Sequence, residues 1–164
     1  MKDEKTFLRK LIKISFILYV LLLSWIIVLK FRINISDLKY IRKINLIPFR
    51  ANNLKEATVN LILFVPLGMY LKYLFKDKDK KILNVLVIAL TSLFYEVLQY
   101  IFHIGVSDIT DIIINVIGGV IGILLINVIT KIINKLKCSN LLKRILEILL
   151  IILPFIILLT LFII

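Results

Sequence analysis

Three carboxylates and a set of amides recur at helical spacing within otherwise apolar sequence. Ser92, Glu96, Gln99 and His103 follow at steps of four, three and four, which lines them along one face of a helix. Asp108, Asp111 and Asn115 repeat the pattern, and Gly118 and Gly122 continue that face. Earlier, Asn53, Glu56, Asn60 and Phe64 approach the same spacing, with Pro66 and Gly68 beyond them. Carboxylates grouped this way can bind a metal, serve as acid–base groups or hold a polar ligand. Asp108 taken alone reads as a helix N-cap, a role that suits Asp. Glu96 and Asp111, together with Asn60 and Asn115, read as a functional pocket, because polar clusters inside apolar spans are costly to keep. His103 has no second histidine at ligand spacing and reads as a solvated interfacial residue. The chain lacks an obvious nucleophile and a strong metal motif, which argues against catalysis; no metal and no cofactor are expected.

These residues must be positioned by membrane-spanning helices. The chain has 164 residues, 61% of them hydrophobic, and a mean hydropathy of +1.04. Soluble domains are about 45–50% apolar. The apolar residues fall in five blocks, 12–29, 58–75, 82–102, 109–130 and 145–164, each near the length a helix needs to cross a bilayer. The expected fold is therefore all-α, a single integral membrane domain of about five transmembrane helices. The first block follows a basic stretch but is long for a secretory signal, and Lys30-Phe-Arg32 follows it without a small-x-small cleavage site. It reads as an uncleaved first helix. The formal charge of +12 comes from Lys and Arg lying between the blocks. That placement points to topology and to anionic head groups of membrane lipids, not to nucleic acid. Cys138 is the lone cysteine, so an intrachain disulfide and a Cys-based metal cluster are excluded.

With the N-terminus inside, fifteen basic residues lie on the cytoplasmic side and seven on the outer side, which favours N-in, C-out. The polar residues lie at the start of the second span, the end of the third and the start of the fourth. Alternating topology puts those three ends on one side of the membrane, whichever way round the protein sits. Asn60, Glu96, Gln99, Asp108, Asp111 and Asn115 should therefore meet in one layer, facing outward if the N-terminus is inside. Glu96 sits about four residues past the centre of its span, about 6 Å from the midplane. Asn60, Gln99 and Asn115 are its expected partners.

Pro66 removes a backbone donor and should free the Ile62 carbonyl one turn earlier. Gly118-xxx-Gly122 matches a close helix-packing motif. The first and last spans carry little beyond Ser15, Tyr19, Ser24, Trp25, Pro154 and Thr160, and read as lipid-facing anchors. The long 30–57 connector is half apolar and should lie on the bilayer surface or fold back against the bundle.

The ordered set of motifs resembles the VanZ-like membrane proteins. It comprises Asn45-Leu-Ile-Pro48-Phe49, Asn60-Leu-Ile-Leu-Phe64-Val-Pro66-Leu67-Gly68, Glu96-Val-Leu-Gln99, Asp108-Ile-Thr-Asp111, Asn115 and Gly118. The resemblance covers a core of about residues 45–125, with spans 12–29 and 145–164 as flanking anchors. One departure stands out: many members carry Arg before the first Asp of the fourth-span motif, where this chain has Gly105-Val-Ser107. The resemblance implies a multi-pass protein of the bacterial cytoplasmic membrane, in a family whose namesake is associated with low-level resistance to teicoplanin-type lipoglycopeptides. The favoured reading is a non-catalytic envelope accessory protein whose outward polar pocket binds a lipid-linked envelope molecule or a glycopeptide. The competing readings are a small membrane-embedded enzyme acting on an envelope lipid and a transporter component. The absence of an internal repeat gives the transporter reading little support.

Overall fold

The computed structural model describes residues 2–29, 41–50, 54–75, 81–102, 104–136 and 139–163. Five helices and two short strands follow in the order α1 (Lys2–Leu29), β1 (Ile41–Asn45), α2 (Leu54–Leu74), α3 (Lys81–Ile101), β2 (Ile104–Asp108), α4 (Ile109–Lys135) and α5 (Ser139–Ile163). Four stretches, Thr6–Ile27, Leu54–Leu74, Ile82–Ile101 and Ile109–Lys135, are long and apolar enough to cross a bilayer. The fifth helix is as long, but Lys143, Arg144 and Glu147 occupy its first turns.

The distribution of polarity is that of a membrane bundle. On α3, Leu86, Leu90, Leu93 and Val97 face outward and exposed, whereas Asn84, Ser92, Glu96 and Gln99 are buried. A protein in water would reverse that arrangement; in lipid it satisfies polar groups inside the bundle and leaves the apolar face to the chains.

Helix α2 runs through the middle, with every residue from Leu63 to Leu71 buried except Val65, which is half-buried. Its closest partner is α4, and the two run parallel with almost no side chain between them. A Cβ on Gly118 would lie 2.3 Å from the Leu61 carbonyl oxygen, and one on Gly122 would lie 2.0 Å from that of Val65. A Cβ on Gly68 would lie 1.9 Å from the carbonyl oxygen of Gly119. Only residues without a Cβ permit this crossing.

Hydrogen bonds tie α1 to the bundle. The Ser15 hydroxyl pairs with that of Tyr70 at 2.7 Å and donates to the Ile151 carbonyl at 3.2 Å. Ser24 pairs with the Tyr95 hydroxyl at 2.9 Å, and Tyr19 donates to the Leu63 carbonyl. Phe16 and Tyr19 also pack against the Tyr70 ring, with centroids 5.5 and 5.8 Å apart. The lipid-facing assignment of Ser15, Tyr19 and Ser24 is therefore corrected. They lie on the inner face of α1, where buried hydroxyls find partners on neighbouring helices. Trp25 does stay exposed. The carbonyl that α1 reaches near Pro66 belongs to Leu63, one residue beyond the expected Ile62.

The described part of the long connector, residues 41–50, folds back against the bundle. Its β1 pairs with β2 in a two-stranded parallel sheet, in a register running from Ile41 opposite Ile104 to Asn45 opposite Asp108. Neither strand stands out in the sequence, because each is only five residues long and β2 runs directly into α4. Residues 30–40, Asn53, His103 and Cys138 lie outside the described residues.

Candidate functional site

The start of α2, the end of α3 and the start of α4 meet at one end of the bundle, and β1–β2 closes over them. Strand β2 returns alongside the last turns of α3, bringing Ser107 and Asp108 onto Glu96. One Glu96 carboxylate oxygen, Oε2, accepts from the Ser107 hydroxyl at 2.9 Å and from the Asp108 backbone N–H at 2.8 Å. The Ser107 hydroxyl also lies 3.1 Å from the Glu96 carbonyl. Glu96 is 4% exposed, so this carboxylate is held by the protein and not by water. Ser107 and Asp108 thus engage this carboxylate, and neither is among the expected partners Asn60, Gln99 and Asn115. The return of β2 brings this hydroxyl and this backbone donor to the carboxylate. In the stretch where many VanZ-like proteins carry Arg, Ser107 supplies a neutral donor.

Asp108 has two roles. Its Oδ1 accepts from the Thr110 N–H at 2.8 Å, capping α4 from an extended backbone conformation. Its Oδ2 accepts from the Asn45 side-chain amide at 2.9 Å, joining the last residues of β1 and β2. The Asn45 Oδ1 turns back to accept from the Ile47 N–H at 3.2 Å, starting the turn that carries Pro48 and Phe49. Asp111 is buried in the first turn of α4, where the helix dipole favours an acidic side chain.

The turn ends on a strained residue. Phe49 has φ 58°, in the left-handed region that a bulky side chain rarely adopts. Its backbone N–H donates to the Thr110 hydroxyl at 3.0 Å, which anchors it to the first turn of α4. The Phe49 ring is exposed, as are Leu46 and Ile47 before it. An exposed apolar tip is thus held directly over the polar layer.

The remaining predicted residues distribute around this centre. Asn115 donates to the Ser92 hydroxyl at 2.9 Å, deeper along the α3–α4 contact. Gln99 donates to the Ile27 carbonyl of α1 at 2.9 Å. The Asn115 Oδ1 and the Gln99 Oε1 are buried without a partner among the described residues. Asn60 is half-buried on α2. Phe64 packs edge-on to Tyr95 at 6.4 Å, next to the buried Pro66 and Gly68. Among the described residues, no three His, Cys, Asp or Glu side chains gather as metal ligands. Sequence reasoning missed Ser107, Thr110 and Asn84. Ser107 directly precedes a capping Asp, and Asn84 lies two turns before Ser92 on the same face of α3; those spacings were the available signals.

The VanZ/LLP1 family model matches residues 16–133, from the middle of α1 through nearly all of α4. The chain belongs to the VanZ/LLP1 family. Among similar proteins, Protein VanZ of Enterococcus faecium is 38% identical over 128 residues, which cover 75% of this chain and 78% of that protein. No solved structure matches. Family membership and the apolar helices together identify a multi-pass membrane protein, and every residue of the polar layer lies inside the matched region.

Proposed function

We propose that this VanZ/LLP1 family member is a non-catalytic accessory of the bacterial envelope. It binds an amphipathic, lipid-linked envelope molecule at the end of the bundle built by β1–β2 and the start of α4. Binding there lowers sensitivity to teicoplanin-type lipoglycopeptides, the property that the resemblance to the family's namesake implies. The basic residues support an N-in, C-out orientation, which turns this end outward, toward the compartment where such antibiotics act.

The observation that carries the reading is Phe49. Its exposed ring is kept in a backbone conformation costing about 1–3 kcal/mol, by a hydrogen bond to Thr110 beside the cap residue Asp108. Strain retained at an exposed aromatic, above a buried polar layer, suits contact with a ligand that has both an acyl chain and polar groups. The Leu46–Phe49 tip offers the apolar surface, and the half-buried Asn60 offers a polar group on α2. The carboxylates favour binding over chemistry: Glu96 Oε2 and both Asp108 oxygens already accept hydrogen bonds that fix β2 and α4.

The test is expression of wild type, Phe49→Ala, Glu96→Gln and Asp111→Asn in a susceptible strain, with a lipoglycopeptide panel and envelope lipid analysis. Reduced susceptibility with wild type, lost in Phe49→Ala and Asp111→Asn at equal protein level and unchanged lipid profile, is the expected result. A lipid profile altered by wild type and restored by Glu96→Gln would replace binding with catalysis. Full phenotype from all three variants would reduce the layer to a packing feature.

A further inference from the structure

The opposite end of the bundle holds a second polar concavity. A cavity of about 290 Å³ opens between the ends of α2 and α4 and the start of α5, lined by Tyr73, Thr130, Asn134, Lys143 and Glu147 over Ile133 and Leu146. Tyr73 donates to Glu147 Oε1 at 2.5 Å, which fixes one wall. Arg9 of α1 lies near enough to the Tyr73 hydroxyl for its charge to be felt there. Beside it, a groove of about 340 Å³ runs along Thr6, Arg9, Lys10 and Lys13. Lys72, Lys131, Lys135 and Arg144 belong to the same end of the bundle.

We propose that this cavity holds a phosphate group at the membrane surface, with the head group of an anionic phospholipid as its source. Lys143 and the Asn134 side chain offer donors at the rim, and Arg9, outside the lining but close enough to act on Tyr73, adds a second cation. The Thr130 hydroxyl is spent on the carbonyls of Ile126 and Asn127, so it shapes the wall without donating. Glu147 is the one carboxylate facing the space among the described lining residues. Its charge is offset by the Tyr73 hydroxyl and by Lys143, one turn earlier on the same helix. Ile133 and Leu146 at the base, with exposed Ile132 and Leu149 on the same two helices, provide an apolar path for acyl chains. A cavity of this size takes a phosphodiester head group and not a whole lipid, so the chains must lie along the outside of the bundle. The proposal is independent of the function proposed above, since the two sites lie at opposite ends of the helices.

The full-length protein is purified in detergent and titrated with phosphatidylglycerol, phosphatidylcholine or inorganic phosphate, with bound molecules counted by native mass spectrometry. Wild type should retain phosphatidylglycerol in preference to phosphatidylcholine. Lys143→Gln and Arg9→Gln should each weaken that retention about fivefold, the effect of one cation near an anionic head group. Lys131→Gln removes the same charge at the same end outside the cavity and should keep wild-type retention. All these side chains are exposed, and thermal unfolding verifies that each variant is folded. Displacement of the lipid by inorganic phosphate at similar concentration would support the phosphate site but assign it to a free anion. Equal losses in Lys143→Gln and Lys131→Gln, or no preference for phosphatidylglycerol, would overturn the proposal.

Discussion

Replacing Gly122 with alanine tests whether direct backbone contact between α2 and α4 holds the bundle together. The added methyl would start 2.0 Å from the Val65 carbonyl oxygen and 3.0 Å from the Met69 nitrogen, both fixed atoms of a buried helix. No rotamer relieves that overlap, so the helices must separate by about 1.5 Å to restore ordinary contact. A radial gap of 0.5–1 Å already forfeits about a quarter to a half of each dispersion contact, and the loss spreads along the whole crossing. In a bilayer, helix association relies on such packing more than on hydrophobic burial. The expected destabilisation is therefore at the upper end of overpacking costs, about 3 kcal/mol or more. Gly68→Ala, whose methyl would meet the Gly119 carbonyl oxygen at 1.9 Å, should cost as much. Gly119→Ala provides the internal control. Its methyl would meet Cδ1 and Cγ2 of the buried Ile88 side chain at 2.7 Å, a neighbour that must shift but is not backbone, so the cost should be smaller, about 1–2 kcal/mol. Unfolding of the purified variants in one detergent, followed by circular dichroism or by thiol accessibility, reads the order directly. Equal stabilities for Gly119→Ala and Gly122→Ala would refute the argument, because the distinction between backbone and side-chain neighbours would then carry no weight.

Substitutions at two other positions probe the polar contacts. Glu96→Leu leaves the Asp108 N–H without its acceptor, while the Ser107 hydroxyl keeps the Glu96 backbone carbonyl, and should cost about 1–3 kcal/mol, whereas Glu96→Gln keeps an acceptor and should cost under half of that in the same unfolding measurement. Tyr19→Phe removes the hydroxyl that reaches the Leu63 carbonyl and should destabilise by about 1 kcal/mol; an unchanged midpoint would return α1 to the role of a passive anchor.

Much of the architecture was legible in the sequence because a bilayer is an exacting solvent. Spans of about 20 apolar residues mark helices almost irrespective of their order, and alternation then fixes which helix ends share a side. Glu96 of α3 and Asp108 at the start of α4 do come together, while Asn45 joins them from β1, which alternation does not foretell. Two things were not legible. The sheet β1–β2 is built from short stretches whose strand character arises only when they pair, so no periodicity announces it. The inward face of α1 was obscured because Ser15, Tyr19 and Ser24 are tolerated anywhere along a lipid-facing helix. Only the positions of Tyr70, Leu63 and Tyr95 give these residues partners.

The sheet also explains why Glu96 can remain in an apolar span. A carboxylate near the end of a membrane helix usually turns toward the interface and water. Here β2 follows α3 almost immediately and runs back past its last turns, so Ser107 and the Asp108 N–H reach Glu96 before solvent does. The same Asp108 caps α4 and, through Asn45, holds the strand that ends in the Pro48-Phe49 turn. Thr110, two residues along, fixes the strained Phe49. Contacts centred on Asp108 and Thr110 thus connect the end of α3, the start of α4 and the exposed tip. A ligand that displaced Phe49 would load Thr110 and, through the α4 cap, the Glu96 network beneath it. Substitutions at Glu96 should on that account alter how the tip binds, even though the carboxylate lies too deep for a ligand to touch.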